Sequence, residues 1–119
     1  MAFLWTTVHV NNLEESIKFY EKYVGLRVSR RFESRPGVEI AFLGDGETEL
    51  ELIGGGGGYP ESDQISLGFS VDSLDKKLDE MNQGGIEIYK GPIQPNPHIK
   101  FFYVKDPNGI SVQFAEQMK

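Results

Sequence analysis

Val10-Asn11-Asn12-Leu13 and Val71-Asp72-Ser73-Leu74 lie 61 residues apart (10 to 71) and share one pattern, apolar, polar, polar, apolar. Ile17 and Tyr20 answer to Leu78 and Met81 at the same offset, so the register holds over a whole helix. Gly25-Leu26 matches Gly85-Ile86 at an offset of 60 (25 to 85), and Leu50-Glu51-Leu52 matches Val112-Gln113-Phe114 at 62 (50 to 112). One long repeat with single-residue slips marks a duplicated module, not a solenoid of short units.

Outward from these matches, 4–10 reads as a strand, after which Asn12 caps a helix with Glu15 at capping-box spacing. Leu13, Ile17, Tyr20 and Val24 form its apolar stripe, and Gly25 stops it. Strands over 26–32, 38–43 and 48–53 follow, divided by Arg35-Pro36-Gly37 and Gly44-Asp45-Gly46. The second half repeats the plan. A strand over 65–71 leads to a helix capped by Asp72 or Ser73, with Leu74, Leu78 and Met81 inward and a stop at Gly84-Gly85. Strands over 86–90, 99–105 and 111–115 complete it. Asp106-Pro107-Asn108-Gly109 predicts a tight turn between the last two, because Pro presets one dihedral and Asn-Gly accepts positive φ.

Each half is therefore β-α-β-β-β. Module one is 1–53, a Gly-rich linker covers 54–64, and module two is 65–119. With 119 residues and 39% apolar content, one domain with a shared core or groove is expected. Zero cysteines exclude disulfides and thiolate chemistry and suit a reducing compartment. No run approaches the roughly 20 apolar residues of a membrane span, and no secretory signal opens the chain, so a soluble cytoplasmic protein is expected. A formal charge of −6 repels phosphate backbones and argues against nucleic acid. The basic cluster Arg27, Arg30, Arg31 and Arg35 reads as a solvated strand edge in preference to an anion site.

The five-glycine run Gly54–Gly58 invites reading as a phosphate loop. It lacks the Lys-Ser/Thr and following helix of one phosphate-binding loop and the helix-opening glycine of the other. A flexible linker is the expectation.

The helix motif Asn12 to Tyr20 before Gly25-Leu26, the two β-α-β-β-β modules and the Asp106 to Gly109 turn together resemble the vicinal oxygen chelate superfamily. That family includes glyoxalase I, extradiol dioxygenases, methylmalonyl-CoA epimerase, fosfomycin-resistance transferases and bleomycin-resistance proteins. The resemblance covers nearly the whole chain. It implies an α+β fold in which the modules form a curved, partly closed mixed eight-stranded sheet around a central pocket, and a homodimer. It speaks to architecture more than to chemistry.

In metal-dependent members each module supplies one ligand from its first strand and one from its last. Counted from the motifs, these places hold Trp5, Glu51, Ser66 and Gln113, where the family commonly has His or Gln and then Glu. Indole cannot ligate, Ser is a poor ligand and Gln a weak one. A lone Glu51 does not hold nickel or zinc tightly, so the metal site reads as lost, with no metal or cofactor expected. The ligand count also argues against lactoylglutathione lyase activity. His9 lies roughly 13 Å along the strand from Trp5, too far to substitute. A displaced His9, His98 and Glu51 set is the alternative. The resemblance also places His9 near a basic residue that in glyoxalase I contacts the acidic thiol cofactor.

These residues suggest roles. Glu51 can act as a general base, since a carboxylate in a partly apolar pocket becomes more basic, or it can simply be a hydrogen-bonded remnant. Trp5, with Phe101 or Tyr103, can stack on a planar or cationic ligand or can instead fill the pocket. Thr7, Ser66 and Ser70 offer hydroxyls, and the net charge favours a neutral or cationic ligand. The expected function is a metal-free protein that binds a small organic molecule near Trp5 and Glu51. Alternatives are a divergent metal-dependent lyase, isomerase or dioxygenase, and a non-catalytic scaffold with a filled pocket.

Overall fold

A computed structural model describes residues 1–56, 60 and 62–118, with backbone alone for 62–64. The chain divides into two compact units, Met1–Pro60 and Glu61–Lys119. The described residues form an α+β fold whose eight strands make two mixed four-stranded sheets, one in each unit.

In the first unit β1 (Trp5–Val10) leads through α1 (Leu13–Phe19) to β2 (Val28–Arg35), β3 (Val38–Leu43) and β4 (Glu49–Gly54). The sheet order is β1-β4-β3-β2, with β1 parallel to β4 and the other pairs antiparallel. Asn12 caps α1 as expected, its side chain accepting from the Glu15 amide at 3.0 Å. The helix then widens into a π-turn over Tyr20–Val24 before Gly25 ends it at φ 81°. That widening changes the apolar face. Tyr20 and Tyr23 are both buried, whereas Val24, expected inward, is half-buried. Val8, Val10, Leu50, Leu52, Ala41 and Leu43 line the helix side of the sheet and form the core with Ile17 and Phe19.

The second unit repeats the order with β5 (Ser62–Ser70), α2 (Leu74–Gln83), β6 (Lys90–Asn96), β7 (Ile99–Lys105) and β8 (Ile110–Gln117). Its sheet runs β5-β8-β7-β6. Ser73, not Asp72, is the cap, accepting from the Lys76 amide at 3.2 Å. Glu116 of β8 takes the Leu74 amide at 2.7 Å, placing an anion at the helix start. The Asp106 turn forms as expected. Its carboxylate accepts from the Asn108 and Ile110 amides at 2.8 and 2.9 Å, and Gly109 sits at φ 78°.

The expected strand over 86–90 is displaced. β6 begins at Lys90 and runs through Pro92 and Pro95, while 86–89 is irregular. Alternating Ile86 and Ile88 imitate a strand. Pro92 and Pro95 lack amide donors, yet β6 is an edge strand pairing at Lys90, Ile93 and Asn96, so the missing amides cost it little. His98 accordingly sits in a tight turn, its amide donating to Asn96 Oδ1 at 2.8 Å.

The linker expectation over 54–64 falls partly outside the described residues, which omit 57–59 and 61. Its first two glycines are structural. A Cβ on Gly54 would stand 3.0 Å from Leu13 Cβ, and one on Gly55, at φ 102°, would stand 1.9 Å from the Gly37 carbonyl oxygen.

Candidate functional site

Side chains alternate across a strand, so each sheet presents a second face away from its helix. On the first sheet that face carries Trp5, Thr7 and His9 of β1, Glu49, Glu51 and Ile53 of β4, Ile40 and Phe42 of β3, and Arg30 and Phe32 of β2. The register aligns them in rows: Thr7 pairs with Glu51, Glu51 with Phe42, and Phe42 with Arg30. Thr7 Oγ1 donates to Glu51 Oε1 at 2.6 Å, and the Glu51 carboxylate is buried.

Aromatic rings surround this pair. Trp5 meets Phe42 edge-on at 5.3 Å between ring centres, and Phe32 stacks on Phe42 at 6.4 Å. Phe42 is buried, while Trp5 and Phe32 are each 42% exposed, so the cluster presents an apolar surface. The Arg30 guanidinium lies 3.9 Å over the Phe42 ring. Trp5, Thr7 and Glu51 are thus brought together. His9 shares their face one step along, paired with Ile53.

The basic cluster splits by strand parity. Arg31 points to the helix side and pairs with Glu14 and with Glu39, the latter at 2.5 Å. The Arg31 hydrogen bond holds the Glu39 carboxyl below its ordinary value, and Glu39 and Glu14 raise the guanidinium further.

On the second sheet the corresponding face holds Ser66, Gly68 and Ser70 of β5, Ser111, Gln113 and Ala115 of β8, and Phe101, Tyr103 and Lys105 of β7. Gln113 Nε2 donates to the Tyr103 hydroxyl at 3.1 Å, and Phe101 meets Tyr103 edge-on at 5.7 Å. Ser66 pairs with Ser111, so it stands one step along from Gln113, which pairs with Gly68. Tyr89 joins this group, its hydroxyl 2.5 Å from Ser111 Oγ. Gly85, Ile86, Glu87, Tyr89 and Lys105 line an open depression of about 430 Å³ nearby. Among the described residues no three His, Asp or Glu side chains gather as a metal-binding group.

Sequence reasoning assigned no role to Phe42, Phe32 or Tyr89, and it read Arg30, with Arg27, Arg31 and Arg35, as a solvated strand edge. Phe42 and Arg30 come into the row only through the strand order that sets β3 beside β4 and β2 beside β3. Tyr89 was missed because it precedes a strand whose position was misread.

A family model for the Glyoxalase/Bleomycin resistance protein/Dioxygenase superfamily matches residues 2–114. The chain belongs to that superfamily. Among its superfamily relatives, the lactoylglutathione lyase of Haemophilus influenzae is 30% identical over 126 residues, covering 98% of this chain and 93% of that one. The uncharacterized protein YwbC of Bacillus subtilis is 29% identical, covering 94% of each chain. The fold is that of the trypanothione-dependent glyoxalase I of Leishmania major, with a TM-score of 0.84 at 23% identity over 98% of this chain and 86% of that one. It is shared by TnmS3, an antibiotic binding protein of Streptomyces sp. CB03234, with a TM-score of 0.77 at 17% identity over 98% and 96%. No helix among the described residues is long and apolar enough to cross a membrane.

Proposed function

We propose that this superfamily member binds a small organic molecule on the open face of its first sheet, with Trp5, Phe32 and Phe42 as the apolar surface and Glu51 as the polar anchor. The observation that carries this reading is the Trp5–Phe42 contact beside a buried carboxylate already held by Thr7. Large rigid aromatics next to one fixed polar group are what a small-molecule site requires. His9, on the same face of β1, is a further ligand contact in this reading, while Ser66, Gln113, Phe101 and Tyr103 form a corresponding polar and aromatic face on the second sheet.

The metal of the family's enzymes does not fit the donor set here. The four places the resemblance assigns to ligands hold Trp5, Glu51, Ser66 and Gln113. Indole offers no lone pair, Ser66 has only a neutral hydroxyl and Gln113 only a weak amide carbonyl, so Glu51 is the one strong donor of the four. Glu51 remains able to accept a proton or a hydrogen bond from whatever lies on Trp5. The second reading, a lyase, is favoured by the lactoylglutathione lyase relatives alone.

Elemental mass spectrometry on untagged protein, before and after loading with nickel, zinc, iron or manganese, separates the two. The binding reading expects no retained metal in wild type. Near one metal per chain, lost in Glu51→Ala, would overturn it and point to a rebuilt enzyme site.

A further inference from the structure

Arg30 and Arg31 adjoin in sequence and differ in situation. Two carboxylates hold Arg31. Arg30 stands on the open face, and among the described residues its side chain makes the contact over Phe42 and no hydrogen bond or ion pair. Glu49 shares that face, but its Oε2 accepts from Ser29 at 2.5 Å. A guanidinium resting on a ring is oriented through one face, while its five N–H donors lie in its own plane and stay available. That is a fork without its acceptor.

The register supplies the rest of the geometry. Arg30, Phe42 and Glu51 occupy one row across three strands. Two strand spacings put the backbones of Arg30 and Glu51 about 10 Å apart along the sheet, and the guanidinium reaches back over the Phe42 ring between them. Glu51 gives one oxygen to Thr7, and a carboxylate has further lone pairs for a second donor. Phe42 lies between Arg30 and Glu51 in the row, and the half-exposed Trp5 and Phe32 rings that meet it flank the row on either side.

We infer that the ligand of this face is a planar organic acid, its carboxylate forked by Arg30 and a hydroxyl or amine at its far end donating to Glu51. This rests on the face being the binding site proposed above. The overall charge of −6 favours a neutral or cationic ligand at long range, but the local contact outweighs it. Salt screens distant charge beyond about 8 Å at physiological ionic strength, while a forked contact acts at about 2.8 Å.

The test is an NMR titration of the full chain with 6-hydroxy-2-naphthoic acid, its methyl ester and 2-naphthoic acid. The indole N–H of Trp5, the single tryptophan, reports occupancy of the site. The acid is expected to shift the indole signal and to bind about tenfold or more tighter than the ester, the scale of a hydrogen bond to a charged group. Arg30→Gln should bring the acid down to the ester's affinity and leave the ester unchanged, which also shows that the variant folds. Arg30→Lys, which keeps the charge and loses the fork, should fall between. Loss of the hydroxyl in 2-naphthoic acid should weaken binding in wild type but not in Glu51→Gln. Equal binding of acid and ester, or an Arg30→Gln variant that treats the acid as wild type does, would overturn the inference and leave the binding site standing. No indole shift with any of the three probes at millimolar concentration would overturn both.

Discussion

Thr7 and Glu51 are direct partners across the parallel β1–β4 pair, and the Thr7 hydroxyl donates to the buried Glu51 carboxylate at 2.6 Å. The bond fixes one oxygen of the carboxylate and fills part of the hydrogen-bonding capacity that a buried charge must satisfy. Thr7→Val keeps the shape and removes the donor. It is expected to lower stability by about 1–2 kcal/mol, because Thr7 is itself exposed and water replaces part of the contact. Thr7→Ser should recover most of the loss. Urea unfolding of the three proteins measures this, and a Thr7→Val midpoint equal to wild type would show that the bond contributes nothing.

The glycine run gives a second expectation. Gly55 has φ 102° and its Cβ would meet the Gly37 carbonyl oxygen at 1.9 Å, whereas Gly46 has nothing within 4 Å. Gly55→Ala therefore combines a backbone strain with a backbone clash and should cost more than about 1 kcal/mol. Gly46→Ala should lie within about 0.5 kcal/mol of wild type. Thermal unfolding of the two variants compares them directly. Equal melting temperatures would mean that Gly55 acts only as a flexible connection.

Charge on the helix side predicts a pH effect. Arg31 depresses Glu39 below its ordinary value of 4.5. A depressed carboxylate stabilises the folded state above the unfolded value, and that stabilisation disappears as pH falls through the folded one. The stability difference between wild type and Glu39→Gln should thus be constant above about pH 5.5, shrink on acidification below 4.5 and shrink in high salt. Denaturant midpoints from neutral pH down to pH 3 follow it. A difference that grows on acidification would contradict the assignment.

Much of this was legible in the sequence. The repeat of Val10 to Leu13 in Val71 to Leu74 located both helices and their caps, because capping depends on side chains three residues apart. Asp106 to Gly109 fixed the β7–β8 register through local turn chemistry. β6 was not legible, since Pro92 and Pro95 exclude a central strand but not an edge one, and edge status is a property of the whole sheet. At the site, Trp5, Thr7 and Glu51 follow from counting along single strands. Arg30 and Phe42 depend on which strands adjoin, information that no local pattern carries. The widened turn at Tyr20–Val24 likewise has no local signal, and it exchanged Val24 for Tyr23 in the core.

Trp5 unites the stability and binding expectations. Its edge contact with Phe42 is of the kind that contributes about 0.5–1.5 kcal/mol beyond buried area. Trp5→Phe retains an aromatic edge and should lose little, while Trp5→Ala should lose that contact and expose Phe42. If the face is a binding surface, ligand affinity will fall further than stability does. A removed aromatic anchor commonly costs about 2 kcal/mol or more of binding, some thirtyfold in affinity. If Trp5 merely fills space, Trp5→Ala will instead open the face and leave affinity for planar probes equal or improved. Titrating the same naphthoate series into Trp5→Ala and Trp5→Phe, with unfolding midpoints measured in parallel, decides between an anchor and a plug.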